Sequence, residues 1–222
     1  MPPSNESKSI RVLLVDDHPI VRRALEHIIG KEDDMTICGE AGDAADGLEA
    51  VLDLKPDLAV VDISLKGKSG IELIKDIRAR KIRMPIVVLS VHEETTYAER
   101  ALSAGAQGYI GKDEAPKVIV AALRKVLGGD VYVADAIAAR LFARTGSGRV
   151  DPREDAVSSL SDRELEVLEM IGQGRGTRDI ASRLNLSVST VETHRANIKA
   201  KLNLAGGSEL ARYATEWVLG RG

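Results

Sequence analysis

Five side chains in the first half of the chain, Asp16, Asp17, Asp62, Ser90 and Lys112, are of types that can handle a metal ion or a phosphoryl group. Each closes a short apolar run: Leu13-Leu14-Val15 precedes Asp16-Asp17, Val60-Val61 precedes Asp62, Val88-Leu89 precedes Ser90, and Tyr109-Ile110-Gly111 precedes Lys112. Three carboxylates brought together repel one another and raise each other's pKa unless a cation lies among them. A hard divalent ion answers that need, since Mg²⁺ takes oxygen ligands from a few carboxylates, waters and a phosphate. Lys112 adds a point charge for a phosphoryl oxygen, and the Ser90 hydroxyl can donate to another. One carboxylate is then free to attack phosphorus, as in enzymes that form an aspartyl phosphate. Taken singly, Asp16 and Asp17 read as caps of a helix starting near His18, Asp62 as a strand end and Lys112 as a solvated charge; only the set argues for chemistry. His18 and His92 also stand at strand ends, but isolated loop histidines suit Mg²⁺ poorly and neither is assigned to the metal.

A second candidate lies near the carboxyl end. Residues 177–191, TRDIASRLNLSVSTV, read as helix, tight turn, helix. Ile180, Ala181 and Leu184 face inward, Leu186 plugs the turn, and Val191, Ile198 and Leu202 continue an apolar stripe. Glu192, Thr193, Arg195, Ala196 and Lys199 lie off that stripe, where short or polar side chains suit a DNA major groove and the helix start suits a phosphate. A small helical bundle that docks onto protein explains the same pattern equally well from these residues alone.

The elements that must position these residues alternate from Ile10 onward. Ile10 to Val15, Met35 to Ala41, Leu58 to Val61, Ile86 to Leu89 and Gly108 to Ile110 read as strands. Helices are expected over His18 to Ile29, Ala44 to Leu54, Gly70 to Arg80, Glu94 to Ala104 and Ala115 to Leu127. Five consecutive βα units make an α/β doubly wound parallel five-stranded sheet, and its continuous apolar strands fit burial on both faces. Ligands of such sheets bind outside the carboxyl ends of the strands, where the acidic set lies. After Gly128-Gly129 the alternation stops. Ala134 to Arg144 reads as one helix, Thr145-Gly146-Ser147-Gly148 as a flexible linker, and the rest as a small all-α domain. Ser161 and Glu164 form a capping box for its first helix, Gly172-Gln173-Gly174 ends that helix, and Ser187 caps the helix from Val188 to Leu202. A last helix runs from Ser208 to Val218. The expected divisions are a disordered tail over residues 1–9, an α/β domain over 10–130, a linker with helix over 131–157 and a helical domain over 158–222.

Composition narrows the function classes. The 222 residues are 44% hydrophobic and 29% charged, too long for one small domain and too apolar for a disordered chain. No apolar run approaches the ~18 residues of a membrane span, and the polar residues 1–9 lack an export signal, so a cytoplasmic protein with no membrane partner is expected. Cys38 is the single cysteine, expected as a small buried hydrophobe. Net charge is −3, and residues 156–222 hold nine basic against eight acidic side chains, so bulk charge does not announce nucleic acid binding. No G-x-x-x-x-G-K-[ST] loop, metal-spaced His/Cys cluster or G-x-S-x-G elbow suggests turnover of a separate substrate, and the chain is not expected to be an enzyme.

Val15-Asp16-Asp17-His18, Val61-Asp62-Ile63, Leu89-Ser90-Val91-His92 and Gly108-Tyr109-Ile110-Gly111-Lys112 together resemble the receiver domain of two-component response regulators, a flavodoxin-like fold, over residues 10–127. The resemblance implies that Asp62 is phosphorylated, that Asp16, Asp17, Asp62 and the backbone carbonyl of Ser64 hold Mg²⁺, that Lys112 contacts the phosphoryl group, and that Ser90 and Tyr109 form the switch pair. Phosphorylation adds charge and acceptor oxygens, which a bistable element can read. Lys66 stands where such domains commonly carry proline, which puts the rigidity of the loop after Asp62 in question.

Leu160-Ser161-Asp162-Arg163-Glu164-Leu165-Glu166-Val167-Leu168 and Thr190-Val191-Glu192-Thr193-His194-Arg195-Ala196-Asn197-Ile198 resemble the LuxR-type helix-turn-helix domain of the NarL/FixJ family, over residues 158–215. By that similarity Val188 to Leu202 is the recognition helix, with Glu192, Thr193 and Ala196 toward bases and Ser189, Thr190, Arg195 and Lys199 nearer the backbone. Glu192 replaces a frequent lysine and can accept from a cytosine amino group. Ala205 and Gly207 replace frequent arginines, implying fewer phosphate contacts and a weak monomer. Leu210, Ala211, Ala214 and Trp217 are a candidate dimer face, with core packing the stronger role for most of them.

The resemblances together imply a regulator phosphorylated by a sensor histidine kinase, binding promoter DNA as a homodimer when phosphorylated. Two alternatives remain at this point: a phosphorelay or adaptor protein whose tail binds protein, and a phosphorylation-independent DNA-binding dimer. Salt-dependent DNA binding separates the first; the intact acidic set argues against the second.

Overall fold

The computed structural model describes residues 9–91, 95–135, 137–139 and 156–220. Most of the expected tail over 1–9, the linker at 145–148, residues 140–144 of the expected linker helix, His92 and Glu94 lie outside the described residues. The chain forms two compact units, Met1–Thr145 and Gly146–Gly222.

The first unit is a parallel sheet of β1 (Ile10–Val15), β2 (Met35–Ala41), β3 (Leu58–Asp62), β4 (Ile86–Ser90), β5 (Gly108–Gly111) and β6 (Tyr132–Val133), in the order β2-β1-β3-β4-β5-β6. The first five are the expected strands. The sixth is an addition to the five-stranded expectation: Gly129 turns at φ +93° and residues 132–133 then pair with Gly108 and Tyr109 of β5. Two residues are too few to show a periodicity, so only the pairing reveals them.

Successive side chains of a strand point to opposite faces, and both faces are dry here. Val12, Leu14, Val60, Val87 and Leu89 pack against Leu25 and Ile29 of α1 (Pro19–Ile29) and Ile119, Ala122 and Leu123 of α5 (Ala115–Leu127). On the other face Val15 meets Gly47 of α2 (Ala44–Leu54), and beside it run α3 (Gly70–Ala79) and α4 (Thr95–Ala104). Each fully buried Leu, Val or Ile contributes about 1.5–3 kcal/mol of transfer free energy. The polar strand-end residues sit on this rigid layer.

Cys38 corrects the expectation of a buried hydrophobe. The β1–β2 register shifts between Val12 and Leu13, pairing Val12 with Ile37 and Leu13 with Gly39, so Cys38 is the extra residue of a bulge and only half-buried. Partial burial pushes its thiol pKa up.

The second unit contains α6 (Asp162–Gly172), α7 (Thr177–Arg183), α8 (Val188–Lys201) and α9 (Gly207–Leu219). The expected caps are in place: Ser161 and Glu164 form both bonds of a capping box, and Ser187 accepts from the backbone N–H of Thr190 at 3.0 Å. The turn between α7 and α8 closes through Asn185 at φ +51° and the Leu186 N–H donating to the Ala181 carbonyl at 2.8 Å. Leu210, Ala214 and Trp217 are buried while Ala211 is exposed. Gly172 of α6 lies so close to α9 that a Cβ there would be 2.4 Å from the Ala214 carbonyl oxygen. That face of α9 is core.

Glu164 has a partner beyond its cap, because Lys201 at the end of α8 donates to the same carboxylate at 2.6 Å. Burial works against the Glu164 charge, but the Lys201 ammonium and the Ser161 contacts outweigh it, so its pKa lies below the ordinary glutamate value. A depressed folded-state pKa contributes stability that is present above the unfolded value, roughly pH 4.3, and is lost as pH falls through the folded value. Carboxyl NMR titration is expected to place Glu164 below ordinary glutamate, and Lys201→Met to raise it; an unchanged Glu164 titration in that variant contradicts the pairing.

Candidate functional site

The acidic set converges at the point where β1 and β3 end side by side, with neighbouring connections running off in opposite directions. β3 delivers Asp62, almost fully buried at 1% exposure, and β1 delivers Asp16 at 2%. Lys112, just past β5, reaches both: its Nζ lies 2.7 Å from Asp62 Oδ2 and 2.8 Å from Asp16 Oδ2. The Ser64 N–H is 3.3 Å from Asp62 Oδ1. Ligand atoms of Asp16, Asp17, His18 and Asp62 all lie within 4.8 Å of one another.

Electrostatics follow from that crowding. Burial raises the Asp62 pKa most, Lys112 opposes this, and Asp16 adds to the rise. Burial disfavours the Lys112 ammonium, but Asp62 and Asp16 outweigh it and hold its pKa above the ordinary lysine value. One ammonium is shared between the buried carboxylates of Asp16 and Asp62, and Asp17 Oδ1 has only the His18 ring beside it, so negative charge exceeds positive at the strand ends. Crowded, under-neutralised carboxylate oxygens of this kind are what a hard divalent cation takes as ligands. The donor set therefore fits Mg²⁺.

His18 is drawn into this cluster, which the sequence reading did not anticipate. Its Nδ1 is 2.6 Å from Asp17 Oδ1 and 3.3 Å from Asp16 Oδ1, and its backbone N–H donates to Asp16 Oδ1 at 2.8 Å. It occupies the position before α1, and its side chain makes no capping bond. The capping explanation of Asp16 and Asp17 thus gives way to a turn in which Asp16 binds the backbone of His18. Arg22 of α1 donates to the Asp16 carbonyl at 2.5 Å and to Glu40 at 2.6 Å, bracing the same turn.

The loop after Asp62 is fixed without the proline. Leu65 is buried, Gly67 turns at φ +75°, and Lys66 forms a β-bridge with Asp43. Asp43 itself caps α2 by accepting from Ala45 and Asp46 at 2.9 Å each. Lys68 pairs with Asp76 at 2.8 Å rather than facing the acidic cluster. Ser69 and Glu72 form a capping box on α3, an S-x-x-E signal as visible in the sequence as that of Ser161 but not used there. Gly70 matters most, because a Cβ there would lie 1.9 Å from the Asp62 carbonyl oxygen, so any side chain would displace the strand end holding the carboxylate.

Ser90 and Tyr109 are fully buried on adjacent strands. Ser90 pairs with Gly111, its carbonyl accepts from the Lys112 N–H at 2.7 Å, and Tyr109 pairs with Val88 on one side and Val133 on the other. Arg78 of α3 donates to the Gly105 carbonyl at 2.7 Å and to the Ile82 carbonyl at 2.8 Å, anchoring the turn from which β5 starts.

In the second unit α8 turns Val191 and Ile198 inward and exposes Ser189, Glu192, Thr193 and Ala196. Thr190, Arg195 and Lys199 are half-buried. The Ser187 hydroxyl lies 2.7 Å from the hydroxyls of both Ser189 and Thr190, and Thr193 donates to the Ser189 carbonyl at 3.0 Å. Leu202 is half-buried, so the inward stripe weakens at the end of α8.

Comparison with known proteins gives the same division. The family of response regulator receiver domains matches residues 12–124, and bacterial regulatory proteins of the luxR family match residues 158–214. The transcriptional activator protein ExaE of Pseudomonas putida is 35% identical over 207 residues, covering 92% of this chain and 95% of its own. The nitrate/nitrite response regulator protein NarL of Escherichia coli is 33% identical over 200 residues, covering 90% and 92%. Among solved structures, RcsB of Salmonella enterica serovar Typhimurium, bound to promoter rprA in the presence of phosphomimetic BeF3−, aligns with a TM-score of 0.62. It shares 25% identity over 94% of this chain and 99% of that one.

Proposed function

The chain belongs to the bacterial response regulators, phosphorylation-controlled DNA-binding transcription regulators that join a receiver to a LuxR-type domain, and on that premise we propose that Asp62 is its phosphoacceptor. The observation that carries this reading is the buried Asp62 carboxylate at a strand end, held by Lys112 and clustered with the carboxylates of Asp16 and Asp17. We assign residues 10–130 to the receiver, 131–157 to a linker and 158–222 to the DNA-binding domain.

Asp16, Asp17, Asp62 and the carbonyl of Ser64 would hold Mg²⁺. When bound, the ion neutralises charge on the carboxylates and on the incoming phosphoryl oxygens. An Asp62 carboxylate oxygen attacks the phosphorus of a sensor kinase phosphohistidine, the P–N bond breaks, and its electron pair stays on the imidazole nitrogen, which takes a proton from water. Lys112 already lies 2.7 Å from Asp62 Oδ2 and is placed to donate to a phosphoryl oxygen. Ser90 supplies the hydroxyl of the switch, and repacking with Tyr109 passes the charge change to the rest of the sheet.

The DNA-binding unit lays α8 in the major groove, with Glu192, Thr193 and Ala196 toward bases and Ser189, Thr190, Arg195 and Lys199 toward the backbone. Near-neutral charge makes the monomer weak, and a homodimer on two half-sites multiplies its affinity. The protein works where DNA is, in the cytoplasm, and turns over no substrate besides its own phosphoryl group. The test is intact-mass analysis of the full chain after incubation with Mg²⁺ and acetyl phosphate, followed by borohydride reduction. The expected result is one added phosphoryl group and homoserine at position 62; label at another residue, or none, overturns the assignment.

A further inference from the structure

Glu192 is the one acidic side chain on α8, and it is not a loose surface charge. The Thr177 hydroxyl, at the first residue of α7, donates to Glu192 Oε1 at 2.8 Å across the helix-turn-helix. Arg195, one turn further along α8, brings its Nε to 3.7 Å from the same oxygen. The Arg195 side chain is 20% exposed, and its Nη2 would be 4.0 Å from a Cβ on Gly207 at the start of α9. Both contacts converge on Oε1. The other oxygen, Oε2, has no hydrogen-bond partner among the described residues, and the side chain is 57% exposed.

We propose that Thr177 and Arg195 hold Glu192 as an oriented acceptor that reads a cytosine amino group in the major groove, which makes Thr177 a positioning residue for sequence choice. This rests on the DNA-contact reading of α8 given above and deepens it. A carboxylate has only acceptors, and among the four bases cytosine N4 offers a major-groove donor that no adjacent acceptor on the same base obstructs; adenine N6 stands next to the N7 acceptor and is better matched by an amide. A flexible glutamate would lose rotamer freedom on docking and would be repelled by phosphates on either side. One already fixed through Oε1 loses less and presents Oε2 in a set direction. The neighbouring guanidinium offsets part of the repulsion from DNA.

The test is selection of binding sites from a randomised DNA library by the full-length chain with Mg²⁺ and acetyl phosphate. The proteins compared are the wild type, Glu192→Gln, Thr177→Val and Thr177→Ser. Wild type is expected to enrich cytosine at one position of each half-site, with exchange of that cytosine for thymine weakening binding roughly tenfold. Glu192→Gln is expected to lose that preference or move it to adenine. Thr177→Val is expected to reduce the cytosine-to-thymine ratio several-fold, and Thr177→Ser to restore it. A purely structural role for Thr177 would weaken all sequences alike and leave the ratio unchanged, which would overturn the inference. An unchanged consensus in Glu192→Gln would overturn it as well. If wild type enriches no sequence, it is the DNA-binding reading that fails, and the inference falls with it.

Discussion

Replacing Lys112 with alanine is expected to lower the unfolding free energy of the receiver unit by about 3 kcal/mol in metal-free buffer, the usual scale for leaving a buried charge without its partner. Lys112 Nζ is, among the described residues, the cation within 3 Å of both Asp62 and Asp16, and without it those two buried carboxylates must take a proton or recruit another cation. Added Mg²⁺ stabilises both proteins but is expected to narrow the gap, because carboxylates without a competing ammonium bind the ion more tightly, and each tenfold in dissociation constant is about 1.4 kcal/mol at saturating ion. Urea denaturation with EDTA and with Mg²⁺ measures both. Equal stability of the two proteins in EDTA, or no narrowing of the gap with Mg²⁺, would show that the ammonium does not neutralise this site.

The second large effect belongs to Asp62→Ala, which is expected to incorporate no phosphoryl group and to lose the entire response of DNA affinity to acetyl phosphate. Its stability should fall less than that of Lys112→Ala, since it removes a negative charge from a site with too many and leaves Lys112 paired with Asp16. Phosphoryl incorporation by mass and DNA affinity by fluorescence anisotropy are the two readouts. A donor response in Asp62→Ala equal to that of the wild type would place the acceptor elsewhere.

What the sequence disclosed about this site is what local pattern encodes. Asp16, Asp62, Ser90 and Lys112 were identifiable because each follows an apolar run, and in a parallel sheet the end of such a run is a place in space as well as in sequence. The caps at Ser161 and Ser187 were identifiable because their signal spans a few residues. The fold placed these where expected. What was not legible depends on how separate elements and loops meet: Lys201 on Glu164, Thr177 on Glu192, the Asp43–Lys66 bridge in a loop lacking proline, and the approach of Gly70 to the Asp62 carbonyl. Periodicity fixes which face of an element is buried, but not which side chain on a neighbouring element meets it. The two-residue β6 was hidden for a different reason, being shorter than any period that could mark it.

The account turns on coupling between a charge at Asp62 and the affinity of α8 for DNA. Its most direct measurement is a fluorescence-anisotropy titration of the full-length protein against DNA enriched from genomic fragments, at fixed salt and Mg²⁺, with and without acetyl phosphate. Salt is held fixed because phosphate contacts make any affinity depend on it. Binding tighter by roughly tenfold or more with the donor is the predicted result, a coupling of about 1.4 kcal/mol between the two units. Selective binding of equal strength with and without the donor would contradict it.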